Sequence, residues 1–232
     1  MSQRKAGAHG APHGRQGDED DAFIARVLDF TQWARGNQQV LTVAGVVVAI
    51  LVAGALYYRS YRTQLTEQAA EQLETIHQSI AIRDVEAAKV DLATFLDRFG
   101  STAYEGEARL MLGELYLQGD QPQQALAVLG PLGSSPRSPI AFQGAALLAA
   151  AYEQEGRLRE AEDTYLEIAD RSDLDFQVRD ALVAAARIRS LQGDREGAIE
   201  LYERVLEDVE LTAAERGTFE MRIAELRGAT NI

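Results

Sequence analysis

Hydrophobic positions fall into two regimes along this chain. From Gly36 to Tyr58 there are 23 consecutive uncharged residues, bounded by Arg35 and Arg59, and the segment Val40 to Tyr58 (VLTVAGVVVAILVAGALYY) is apolar on every side. As a helix this stretch would reach about 34 Å, enough to cross a hydrocarbon layer of about 30 Å. Beyond Arg62 the apolar residues recur at helical spacing instead: Leu65, Ala69, Leu73, Ile76 and Ile80, then Val85, Ala88, Leu92, Phe95 and Phe99. Such stripes predict helices with one buried face. Arg83-Asp84 and Gly100 punctuate them, and no stretch alternates with period two. The pattern predicts an all-α chain: one N-terminal transmembrane helix, then stacked helices.

The flanks sharpen this division. Residues 1–20 are small and polar and read as a disordered tail. In residues 21–36, Phe23, Ile24, Val27, Leu28, Thr31 and Ala34 fall at helical spacing, which predicts an amphipathic interfacial helix with Trp33 at headgroup depth. The span is assigned to residues 37–61 and the soluble domain to 62–232. Tyr57, Tyr58 and Arg59 make an aromatic and basic anchor at the far interface. Ala53-Gly54-Ala55 resembles a leader cleavage site, but the leader would be about 55 residues against a usual 15–30, so the anchor is expected to remain. Gly45, Ala49 and Ala53 would let a second helix approach the span.

In the soluble part the helices come as similar pairs: LGELYLQGDQPQQALAVL (112–129), LAAAYEQEGRLREAEDTY (148–165) and AAARIRSLQGDREGAIELY (184–202). Ala125, Ala161 and Ala198 correspond, at intervals of 36 and 37 residues. Gly113, Ala149 and Ala186 correspond at a position where only a small residue fits between paired helices, and Leu129, Tyr165 and Tyr202 at a large one. Tyr116 and Tyr152 share a further large position, where the third unit has Arg189. Turns are expected at Gly119-Asp120, Gly156 and Gly193-Asp194, with Asp120 and Asp194 as helix caps. This series resembles the tetratricopeptide repeat, which implies three to four degenerate repeats stacked as a solenoid. Residues 66–100 fit a degenerate unit around Ala88, and Leu211–Arg227 fits a capping helix through Phe219, Ile223 and Leu226.

Charge narrows the classes of function. The net charge is −13, and residues 59–232 carry all of it, with 31 acidic against 18 basic side chains. So acidic a domain repels phosphate backbones, which argues against nucleic-acid partners. Without cysteine there is neither a disulfide framework nor a thiolate site. Arg26 and Arg35 before the span balance Arg59 and Arg62 after it, while Arg4, Lys5 and Arg15 tilt the N-terminus toward the cytoplasm.

Candidate chemistry is sparse. His9 and His13 lie in the tail, and His77 sits on a helix flank; no phosphate loop, metal-ligand spacing or nucleophile–base set can be assembled, so neither catalysis nor a cofactor or metal is expected. The acidic clusters Glu160-Glu162-Asp163 and Glu207-Asp208-Glu210 read as solvated surface. What remains is a binding face along the first helix of each pair, at Leu110 and Glu114, Ala146 and Ala150, and Val183 and Arg187. Of these, Arg187 alone could clamp a carboxylate, so an extended apolar or basic ligand suits the face better.

The layout over residues 20–232, with the Trp33–Asn37 approach to the span and the QGDQPQQA turn at 118–125, resembles the bacterial membrane-anchored tetratricopeptide-like family that includes the ancillary subunit of the Sec translocon. The resemblance implies a single-pass inner-membrane protein, N-terminus cytoplasmic and repeats periplasmic, whose partners are translocon subunits and periplasmic chaperones or clients. Two other readings fit the same pattern: a structural scaffold of an envelope complex, and an N-anchored receptor whose acidic repeats capture basic targeting peptides.

Overall fold

The structure, a computed structural model, describes residues 36–81 and 84–228. The tail, the interfacial helix with Trp33, and Arg83 therefore lie outside the described residues. Among those described, the chain forms nine helices and no strand: α1 (Gln38–Ala81), α2 (Val85–Phe99), α3 (Glu105–Gln118), α4 (Pro122–Gly133), α5 (Pro139–Gln154), α6 (Leu158–Arg171), α7 (Asp175–Leu191), α8 (Arg195–Asp208) and α9 (Ala213–Gly228). The chain divides into two compact units, Met1–Tyr61 and Arg62–Ile232.

In the first unit the described residues belong mainly to the start of α1. Val43, Ile50, Leu51 and Leu56 are all exposed. By length and composition, α1 contains a segment apolar enough to cross a membrane, and none of that segment is buried in the protein. So much uncovered apolar surface is unfavourable in water and calls for lipid or a partner.

The second unit begins with the last turns of α1. There Ala69, Leu73 and Ile76 are buried with Ala88, Leu92, Phe95 and Phe99 of α2, as the stripes require. The Phe95 and Phe99 rings lie 5.0 Å apart. This first core continues through α3 and α4 into α5; a second core joins α5 to α8, with Phe219 and Leu226 of α9 packed on it. The repeat alanines Ala88, Ala125, Ala161 and Ala198 are each wholly buried, as are Ala149 and Ala186. A β-carbon at Gly113 would fall 2.5 Å from the Leu129 side chain, which explains the smallest residue there.

Helix ends follow local chemistry, with one departure from the pattern. Asp84 caps α2, Ser138 caps α5, and Asp194 caps α8 by accepting from the Gly197 amide at 2.9 Å. Thr212 and Glu215 bond reciprocally to each other's backbone amides at the start of α9, a capping box. Asp120 was expected to cap α4 and does not. It takes the left-handed turn (φ 54°) that Gly156 (φ 77°) and Gly193 (φ 84°) occupy in the next two repeats. The cap position is one residue later, at Gln121, whose side chain makes no cap bond.

Candidate functional site

The seams between repeats use one recurring pair of positions, with its chemistry changed each time. The residue after the repeat alanine of one pair faces the large position of the next. At the first seam this joins Lys89 to Tyr116, with the ammonium 5.7 Å from the ring centroid. Lys89 is only 6% exposed and is satisfied by Glu86 and Gln121, each at 2.9 Å. At the second seam the positions hold Leu126 and Tyr152, both packed on the first core. At the third, Glu162 takes a 2.6 Å hydrogen bond from Arg189. Arg189 thus stands where the preceding repeats carry an aromatic, opposite a carboxylate instead of Lys89 or Leu126. Glu162, read above as solvated surface, is instead a mostly covered seam residue.

Two clefts open on the face formed by the first helices α5 and α7. One, of about 360 Å³, lies between α5, α6 and α7, walled by Phe142, Tyr165 and Phe176 over Ala146, Ala181 and Ala184. The other, of about 510 Å³, lies between α7, α8 and α9 and is lined by Val183, Arg187, Tyr202, Arg222 and Leu226. They are repeat-related, since Ala146 and Tyr165 of the first correspond to Val183 and Tyr202 of the second. In the second cleft Arg222 pairs with Glu225 at 3.0 Å, and Phe219 stacks on Tyr202.

Between the clefts runs a polar chain. The Tyr165 hydroxyl donates to Glu153 at 2.9 Å, and Arg187 donates to the same carboxylate. Burial, and then the Glu153 charge, push the Tyr165 phenol well above its ordinary value. The hydrogen bond to Glu153 likewise raises Arg187. Arg187 therefore ties the second repeat to the third instead of standing ready for a ligand carboxylate.

The other sequence-selected residues divide. Ala146 is exposed and lines the smaller cleft; Val183 lines the larger. Leu110 is half-buried against the first core. Glu114 is exposed and accepts from Gln118 at 3.2 Å. Ala150 is half-buried and lines neither cleft. In the first unit Tyr57 and Tyr58 are exposed on α1, and Arg59 follows them on the same helix. Phe142 and Phe176 were not singled out from sequence. The available signal was Phe142 standing at the repeat position of Gly106, and Phe176 standing among aspartates.

The sequence profile described as "Tetratricopeptide repeat-like domain" matches residues 31–228. Among solved structures, the nearly identical TPR-like repeats of a Podosopora anserina protein described as a kinesin light chain superimpose with a TM-score of 0.54 at 19% identity, covering 72% of this chain and 88% of that one. A single-substitution variant of the same protein gives the same values. At such identity the likeness concerns the fold alone. No curated protein matches the chain.

Proposed function

This chain belongs to the tetratricopeptide repeat-like domain family, and from that premise we propose that it is a membrane-anchored protein–protein interaction module ancillary to the Sec translocon. Folds of this kind are typical of non-enzymatic interaction modules, so its work is binding, not catalysis. The observation that carries the reading is one chain joining a stacked-repeat unit to a helix whose apolar side chains the protein leaves uncovered. Residues 37–61 would cross the bacterial inner membrane, the N-terminus would face the cytoplasm, and residues 62–232 would work in the periplasm. Tyr57, Tyr58 and Arg59 would seat the helix at the outer interface. The partners would be translocon subunits and periplasmic chaperones or clients, as the sequence layout suggests. Leu110, Glu114, Ala146, Ala150, Val183 and Arg187 mark the face they would meet, with Arg187 acting through Glu153.

Two measurements in cells test this. A reporter fused after Ile232 should be active only in the periplasm; activity in the cytosol would favour a receptor for basic targeting peptides. Photo-crosslinkers at Leu110, Ala146 and Val183 should yield adducts with translocon subunits or periplasmic chaperones. Adducts confined to a fixed envelope complex would favour the scaffold, and no adduct from any of the three would end the interaction reading.

A further inference from the structure

The three seams are not equally closed. Where α3 meets α5 the helices run close together, and a β-carbon at Gly106 would lie 3.1 Å from the Ile140 side chain. Gly133 of α4 is so close to α5 that a β-carbon there would fall 2.6 Å from the Gly144 backbone. One repeat later the corresponding residues are Phe142, Gln177, Ala169 and Ala181. Each glycine has gained a side chain, and α5 and α7 make no comparable backbone approach. The result is the cleft of about 360 Å³, within the range of about 300–1,000 Å³ typical of ligand sites. Its wall residue Phe176 is 52% exposed. An aromatic side chain left so open beside an apolar hollow has surface to gain by burial.

The lip of the cleft is acidic. Residues 170–180 (DRSDLDFQVRD) hold four aspartates against Arg171 and Arg179. Arg171 and Arg179 are already engaged, Arg171 with Glu167 at 3.1 Å, Arg179 with Asp180 at 3.0 Å and Glu215 at 3.1 Å, and Arg204 of α8 holds Asp170 at 2.7 Å, so the remaining acidity lies with Asp173, Asp175 and the shared Asp180. Asp173, Asp175 and Asp180 are exposed. A negative lip around an aromatic hollow complements a cation beside a large apolar side chain.

We propose that the seam between α5, α6 and α7 is the peptide-reading site of this domain, taking one aromatic side chain between Phe142, Tyr165 and Phe176 with a lysine or arginine neighbour held by Asp180 at its edge. The proposal rests on the interaction-module reading and adds to it the chemistry of the ligand. The closed second seam, between the pairs α3–α4 and α5–α6, leaves this third seam, open beside its Glu162–Arg189 ion pair, as the point of discrimination. Substituting Phe142 by glycine, the residue at the equivalent place in the second seam (Gly106), removes one wall.

The test uses the full-length protein in nanodiscs and three fluorescein-labelled peptides in a Gly/Ser frame, with cores Lys-Phe-Lys, Lys-Ala-Lys and Glu-Phe-Glu, read by anisotropy. Lys-Phe-Lys should bind about tenfold or more tightly than either of the others. Phe176→Ala, at an exposed position, should weaken it about tenfold. Asp180→Lys should weaken Lys-Phe-Lys while bringing Glu-Phe-Glu closer to it. Equal binding of the three peptides, no binding of Lys-Phe-Lys, or indifference to Phe176→Ala would overturn the site. Each of those results leaves the module reading intact if the crosslinkers at Leu110 and Val183 still find partners. Loss of all crosslinks overturns both.

Discussion

At the scale of single residues, the turn between the helices of a pair isolates a backbone effect. Gly156 and Gly193 have positive φ, and nothing lies within 4 Å of where their β-carbons would be. Alanine there should cost about 1 kcal/mol through backbone strain alone. Asp120→Gly, at the same place in the preceding repeat, should be neutral or mildly stabilising; a clear loss in chemical denaturation would mean that the Asp120 side chain has a structural role. Tyr165 gives a second test. An unfolded phenol titrates near 10, and the folded one is held higher by burial and by Glu153. The folded state therefore keeps a proton that the unfolded state gives up. This contribution is fully present below about pH 10 and is lost as the pH rises beyond it. Urea denaturation at about pH 8 and pH 11 should show wild type losing more stability than Tyr165→Phe over that interval. The repeat position of Tyr165 was legible from its spacing to Ala161; its pairing with Glu153 was not, because that carboxylate belongs to the preceding helix and comes within reach only when the pair folds.

For the helices, buried alanines and seam contacts decide the packing. Ala161 is wholly buried, so Ala161→Leu should destabilise the domain by about 1–3 kcal/mol through overpacking. A change under about 0.5 kcal/mol would place it at the surface and break the repeat register. The Glu162–Arg189 contact can be weighed in a double-mutant cycle to alanine, with an expected coupling of about 0.5–3 kcal/mol. Additive single effects would mean that Arg189 merely fills space where Tyr116 and Tyr152 stand in the other repeats. Helix existence and pairing were readable because apolar spacing and small residues at fixed intervals have one geometric solution. Capping was read less well: Asp120 and Asp194 follow similar turns, but the left-handed residue is Asp120 itself in one repeat and Gly193, one place before Asp194, in the other.

On the scale of the whole chain, residues 63–232 should remain a helical, cooperatively folding domain without the residues that precede them, because both cores lie within the second unit. Circular dichroism of a fragment beginning at Thr63 checks this, and a largely unfolded spectrum would mean that stability depends on the first unit. The acidity of the same region predicts charge-steered association. The on-rate for a basic peptide should fall steeply between about 0.1 M and 1 M salt, as the Debye length shrinks from about 10 Å to about 3 Å, while the off-rate changes little. Val183→Lys should shorten residence and leave the salt slope nearly unchanged.

By itself the sequence determined the helical class, the apolar segment of α1, the register of the repeats and their buried alanines. These follow from periodicity and residue size, which act along the chain. Only the tertiary structure decided which seam closes and which stays open, that Arg189, standing in an aromatic's place, meets Glu162, and that Arg187 is engaged by Glu153. Those outcomes depend on residues of different helix pairs, such as Glu162 with Arg189 and Glu153 with Arg187, whose meeting is set by the approach of one helix pair to the next. Gly106 and Phe142 occupy the same place in the repeat, yet only packing reveals that the first admits Ile140 and the second walls an open cleft.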